Sequence, residues 1–260
     1  MARYFAAIWR MRHFWFALVR VDLRRSYRHS ILGLGWSLLM PLAMTVVLCT
    51  VFAKLFNVDI RNFAPYLMAG LTVWNFISAV LTQGCQSFLQ GESYIRQHPA
   101  PLAIYPLRAT LGASLHLLAG LSVVLGLAWC LQGIGNLPSL ISLVPTLALL
   151  FVLAWSLAVV MAIINVIFQD TQHLTQVFLQ AMFYLTPILY TPQVLRERHL
   201  EWVATYNPLT AFLELVRAPI VDAQFPALSA YAAAAATALA AASVAAMMLA
   251  RYERRLIFYL

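Results

Sequence analysis

Arg20, Arg24 and Arg28 recur at intervals of four residues, with Arg25 beside them. On an α-helix this spacing places three guanidinium groups in one stripe. Planar guanidinium forks match the oxygens of a phosphate or diphosphate. The same stripe could simply hold a helix at an anionic membrane surface and set topology, and the sequence leaves both roles open. Other chemistry is sparse. Asp59, Asp170 and Glu214 are too scattered for a carboxylate pair. The six histidines lack zinc-ligand spacing, so no metal site is expected. The one lysine, Lys54, lies between Ala53 and Leu55. A phosphate-cradling P-loop needs glycines upstream and Ser or Thr directly after its lysine. Nucleotide-driven work therefore has to come from a partner, and no cofactor is expected on this chain.

The elements that must position these groups are membrane spans. Hydrophobic residues make up 63% of the chain and charged ones 10%, with a mean hydropathy of +0.80, more apolar surface than a soluble domain can hide. A crossing takes roughly 20 apolar residues. Six such stretches fit residues 31–56, 65–89, 107–131, 139–168, 174–190 and 228–250. The last is largely alanine, which suits close packing inside a bundle. Before it, residues 6–28 mix Trp9, Phe14, Trp15 and Leu18 with arginine and read as a helix lying in the interface. The chain thus divides into an interfacial segment, 1–30, and one transmembrane domain, 31–260. No secretory cleavage pattern opens the sequence, so the mature chain is expected to keep its N-terminus.

Seven of the sixteen arginines precede Ile31, and Arg251, Arg254 and Arg255 follow the last stretch. An even number of crossings puts both termini on one side, and the excess of basic residues makes that side the cytoplasm. Arg96 and Arg108 join them there, so twelve of the seventeen basic residues are expected inside. The net charge of +8 is thereby explained as topology, with anionic headgroups as its partners and no nucleic acid. Cys49, Cys85 and Cys130 each fall in or near a different stretch, against a disulfide framework.

Arg25, Tyr27, Arg28, Ser30, Leu32, Gly33, Trp36 and Pro41 follow a pattern of arginine-rich helix, Tyr-Arg-x-Ser-x-Leu-Gly turn, then Trp and Pro. This resembles the entry to the first span in permeases of ABC-type polysaccharide exporters, which export O-antigen, capsular polysaccharide or teichoic acid. Residues 92–106 resemble that family's cytoplasmic coupling segment between spans two and three. Residues 206–217, preceded by Thr186-Pro-Ile-Leu-Tyr190, resemble its region after span five, where short helices dip into the outer leaflet. The resemblance implies an all-α fold of six transmembrane helices, with the interfacial helix before them and re-entrant helices between spans five and six. It further implies a homodimer of this chain, two copies of an ABC ATPase subunit that bind ATP and Mg, and an undecaprenyl-type lipid-linked polysaccharide as cargo in a bacterial inner membrane.

Within that frame, Pro99, Pro101 and Pro106 confine any helix in 91–106 to the residues before them. Glu92, Tyr94, Arg96 and His98 are the candidate contacts to the ATPase, a surface loop being the plain alternative. The forty-one residues 186–226 are longer than a passive connection. Pro187, Tyr190, Asn207, Pro208 and Arg217 are candidates for an outer gate, against a cap that only packs the bundle. Phe52, Trp74, Phe178, Phe183 and Tyr184 lie inside the expected spans and offer planes on which sugar C–H faces can rest, or else they pack against lipid. The similar exporters line their channel with aromatics mainly from spans one and five. An efflux permease for a drug, haem or lipid stays open as an alternative within the superfamily. A membrane-embedded transferase would want close acids, and a secondary transporter would want ionisable groups at mid-membrane; the sequence supplies neither.

Overall fold

The computed structural model describes residues 2–27, 35–56, 59–97, 100–133, 135–190, 195 and 201–256. In chain order the helices are α1 (Ala2–Arg10), α2 (Arg12–Tyr27), α3 (Gly35–Phe56), α4 (Ile60–Gln97) and α5 (Ile104–Gln132). A 3-10 turn at Leu137–Ser142 runs into α6 (Leu143–Ile167), followed by α7 (Thr171–Leu185), α8 (Glu201–Tyr206), α9 (Pro208–Ile220) and α10 (Leu228–Leu256). No strand occurs among the described residues, in keeping with an all-α chain.

Among the described residues, length and composition suit four segments to crossing a bilayer: Ile60–Gln97, Ile104–Gln132, Leu137–Ile167 and Leu228–Glu253. The other two expected spans are shorter. The apolar part of α3 is Leu38–Phe52. Helix α7 has 15 residues, roughly 22 Å against about 30 Å of hydrocarbon. The sequence reading carried this span to Tyr190, but the helix stops at Leu185. Thr186 precedes Pro187, whose ring drives the residue before it out of the helical region, and Thr186 is extended at φ −91° and ψ 134°.

Helix α4 is the pillar of the bundle. Its 38 residues rise roughly 57 Å, far more than the bilayer core. It packs on α3, α5, α6 and α7. Close approach to α6 depends on Gly84, where a Cβ would lie 2.9 Å from the Cα of Ala158; small residues at such crossings let helix backbones meet without a hydrophobic driving force. Beside this contact the buried Asn165 of α6 donates from Nδ2 to the Cys85 carbonyl at 2.8 Å.

Within 91–106 the helix α4 continues through Gln97 and stops before Pro99, as the prolines require, helped by the Glu92–Arg96 ion pair at 2.8 Å one turn apart. Pro106 departs from that expectation, since it sits in the first turn of α5, where a missing N–H is tolerated. The alanine-rich last helix packs by one stripe only. Ala230, Ala234 and Ala238 are buried, yet 22% of its apolar window is covered, against 78% for α4. The expected single interfacial helix is two, α1 and α2, separated at Met11.

The termini meet at one end of the bundle. Tyr4 of α1 donates from its hydroxyl to Glu253 Oε1 of α10 at 2.7 Å. The same oxygen accepts from the Leu102 amide at 3.2 Å, next to the start of α5. Around them Ile8, Ile95, Ile104, Tyr105, Ile163 and Leu256 form a hydrophobic cluster distinct from the main core.

Candidate functional site

One face of α4 is left open by its neighbours, and it is polar. Asn75, Gln83 and Gln90 are exposed there, with Thr82 and Gln86 half-buried. At 100° per residue these five fall within one arc of the helix. Gln90 donates from Nε2 to Gln86 Oε1 at 2.8 Å, linking the lower part of the row. Helix α7 runs antiparallel beside it, with Cys85 Sγ 3.7 Å from Thr175 Oγ1 near one end and Trp74 against Phe183 near the other. It adds His173, Gln176 and Gln180, all exposed. Primary amides stranded in hydrocarbon cost several kcal/mol each without partners. Such groups on a membrane helix face a bundle interior or a water-filled cavity.

The expected channel aromatics divide around this face. Trp74 meets Phe183 edge-on at 5.7 Å, and Phe183 meets Tyr184 at 5.4 Å. These three therefore form a continuous cluster at the Asn75 end of the amide row, ending in the exposed Tyr184. Phe178 stands about 200° around α7 from Gln176 and shares its exposed apolar side with Leu174 and Leu185. Phe52 packs half-buried against the main core from α3. The amide row itself escaped the sequence reading, although its recurrence at three and four residues within an apolar span could have exposed it.

At the end where the termini meet, α2 lies on α5. Leu18 and Val19 are buried, and Asp22, one turn beyond Leu18, pairs with Arg108 Nε at 3.0 Å. The Arg108 side chain is 7% exposed and also donates to Gln90 Oε1 at 3.4 Å. This pin turns Arg20 and Arg24 outward. They border a cavity of about 550 Å³ with Trp9, Arg12, His13 and Phe16. The Arg20 guanidinium carbon stands 5.5 Å from the Phe16 ring centroid. Arg12, eight residues before Arg20 and so in register with it, and His13 thus join the arginine stripe, which in sequence was expected to start at Arg20. Arg25 lies on α2, while Arg28 lies outside the described residues, as does His98 of the coupling segment. Of that segment's other candidates, Glu92 and Arg96 pair with each other, and the exposed Tyr94 meets Phe14 edge-on at 6.1 Å. Burial first, and then the bond to Glu253, push the Tyr4 phenol well above its ordinary pKa.

At the opposite end, the expected gate residues come together as a staple. Arg217 of α9 is buried and donates to three carbonyls: Nε to Tyr66 at 3.2 Å, Nη1 to Pro187 at 2.7 Å and Nη2 to Ile188 at 3.2 Å. Gly70 makes room for it, since a Cβ there would strike the guanidinium. Tyr66 donates to the Tyr190 carbonyl at 3.1 Å. At the other end of α9, Asn207 caps the helix by accepting from the Leu209 amide at 2.9 Å, and its Nδ2 donates to Thr186 Oγ1 at 2.9 Å. Pro208 occupies the first turn, where its missing N–H costs nothing. Residues 186–190 leave the helical path; Arg217 at one end of α9 donates to the Pro187 and Ile188 carbonyls, and Asn207 at the other donates to the Thr186 hydroxyl and the Leu185 carbonyl.

A bundle of apolar helices with one open polar face is the architecture of a membrane protein. Residues 13–221 match the ABC-2 type transporter family, and the chain belongs to it. Among curated relatives, an O-antigen export system permease protein RfbA of Klebsiella pneumoniae is 27% identical over 195 residues, 74% of each chain. A protein of the same name from Myxococcus xanthus is 26% identical over 233 residues, 87% of each chain.

Proposed function

We propose that this chain is the transmembrane subunit of an ATP-driven exporter that carries a lipid-linked polysaccharide across a bacterial inner membrane. One observation carries the reading: the amide row of α4 and α7 opens sideways at membrane depth and asks for a wet passage closed by a second copy of the chain. Helices α3 and α7 supply the first and fifth of six crossings and flank that row. Amides and aromatics together suit a sugar polymer, the amides for hydroxyl groups and the cluster Trp74, Phe183 and Tyr184 for ring faces. The names of the relatives point the same way.

In this reading the shared end of the termini is cytoplasmic. The basic groove of α1 and α2 receives the diphosphate of the lipid carrier. Two ATPase subunits, holding ATP and Mg, dock on the end of α4, at Glu92, Tyr94 and Arg96, and on the turn into α5; His98 follows these residues in the sequence. Their closure moves α4 and α5, and the staple of α9 holds the outer exit. Polymer then passes between the two copies, and no covalent step falls to this chain.

The test is deletion in the native host with complementation. A lipid-linked glycan should accumulate inside cells, and the tagged chain should co-purify with itself and with an ATPase. Unchanged glycan distribution with new sensitivity to a drug or haem would replace the polymer with a small cargo. Recovery of a monomer without any nucleotide hydrolase would sink the exporter reading altogether.

A further inference from the structure

A crevice between α6 and α10 has no part in the passage. It holds about 400 Å³, is walled by Trp155 and Val159 of α6 and by Ala242 and Ala246 of α10, and is roofed by Tyr4 and Ile8 of α1. From Ala242 to Glu253 α10 rises roughly 16 Å, about half of the ~30 Å hydrocarbon thickness. The crevice therefore has the depth of one leaflet. Its walls offer almost no polar group that could order water, and both helices have the length and composition to cross a bilayer. An acyl chain is the occupant that matches its length, its chemistry and its surroundings.

The polar end selects the headgroup. Glu253 is half-buried, and among the described residues its two hydrogen bonds, from Tyr4 and from the Leu102 amide, both fall on Oε1. Oε2 is left for a donor arriving from outside. A carboxylate favours a cationic donor. A primary ammonium can donate to it, a quaternary ammonium has no N–H to give, and an anionic headgroup is repelled.

We infer that this crevice binds one phospholipid with a primary ammonium headgroup, its chain laid between α6 and α10 and its ammonium on Glu253. The leaflet is the inner one in the orientation proposed above, while the binding itself does not depend on what is exported. The site adjoins the turn that opens α5: Glu253 holds the Leu102 amide, and Trp155 Nε1 donates to the Ala103 carbonyl at 3.2 Å. An occupied crevice thus bears on the element expected to receive the ATPase.

The full-length chain, purified with its partners in mixed micelles, is offered phosphatidylethanolamine, phosphatidylcholine and phosphatidylglycerol, and retained lipid is read by native mass spectrometry. One phosphatidylethanolamine per chain is expected, with the other two held roughly tenfold less, the worth of one charge-assisted bond. Glu253→Gln should remove that preference. Ala246→Phe fills the crevice and should abolish retention, with circular dichroism and dimer assembly unchanged. Phosphatidylethanolamine brominated on its acyl chains should quench tryptophan emission in a component that Trp155→Phe removes. Equal retention of the three lipids, retention undiminished by Ala246→Phe, or quenching that Trp155→Phe leaves unchanged would each overturn the proposal. Should Glu253→Gln fail to fold, the Ala246→Phe comparison decides alone. Since retention is measured without transport, failure of the polysaccharide reading leaves this result standing.

Discussion

The Arg217 guanidinium carbon sits 3.5 Å from the centroid of the Tyr66 ring while its nitrogens bind three backbone carbonyls. A buried cation so placed supplies donors to the buried carbonyls of Pro187 and Ile188, where the chain has left the helix. Lysine offers a point charge in place of a planar fork and cannot both stack and reach all three acceptors. Arg217→Lys should therefore lower stability by about 2 kcal/mol and Arg217→Met by more, since buried carbonyls lose their donors. Tyr66→Phe keeps the stack and loses the bond to the Tyr190 carbonyl, costing about 1 kcal/mol. Thermal unfolding in detergent measures all three, and equal effects of Lys and Phe would contradict the staple.

The amide row makes a prediction about water. Cysteines placed at Gln83 and Gln86 of α4 and at Gln176 of α7, in a background lacking Cys49, Cys85 and Cys130, should react with a membrane-impermeant thiol reagent. Cysteines at Leu174 and Phe178, on the other side of α7, should stay protected by lipid. Gln83→Leu with Gln86→Leu should reduce export at unchanged stability, because leucine loses no partner held within the protein except the Gln86–Gln90 bond. Reversed labelling would place the open face against lipid.

How much of this was legible in the sequence depended on what each feature rests on. Spans rest on local composition, so α4, α5, α6 and α10 followed from apolar length. Chain ends on one side followed from parity, and the Tyr4–Glu253 contact brings them together. The end of α7 was misplaced by five residues because the apolar run Pro187–Tyr190 looks like helix until the pre-proline restriction at Thr186 is weighed. Arg217 was a candidate by position, but its role needs Tyr66, some 150 residues distant in sequence, and no local pattern shows such a pair. The same holds for Asp22 and Arg108.

Arg12, Arg20 and Arg24 line a common cavity, so on the proposed reading their charges would act together on a diphosphate. Each arginine near an anionic surface contributes about 1 kcal/mol at moderate salt. Arg20→Gln with Arg24→Gln should weaken binding of the purified chain to a prenyl diphosphate by roughly 30-fold, and the wild-type affinity should fall as salt is raised. Membrane insertion and ATPase assembly should persist. Loss of insertion with unchanged diphosphate binding would assign the stripe to topology alone.

The pair Asp22 and Arg108 is unequally buried, with side chains 42% and 7% exposed. Its two halves should therefore respond unequally to removal. Asp22→Ala leaves a guanidinium in a dry site with only Gln90 as a weak acceptor, a loss of about 2 kcal/mol once partial exposure is allowed for. Arg108→Met leaves a carboxylate that is already 42% exposed and keeps its other contacts, and should cost under about 1 kcal/mol. The double variant should be more stable than Asp22→Ala alone, because it removes the stranded charge. Thermal denaturation of the four proteins yields the coupling energy. Additive losses would mean that α2 is held to α5 by Leu18 and Val19 and that the ion pair contributes nothing.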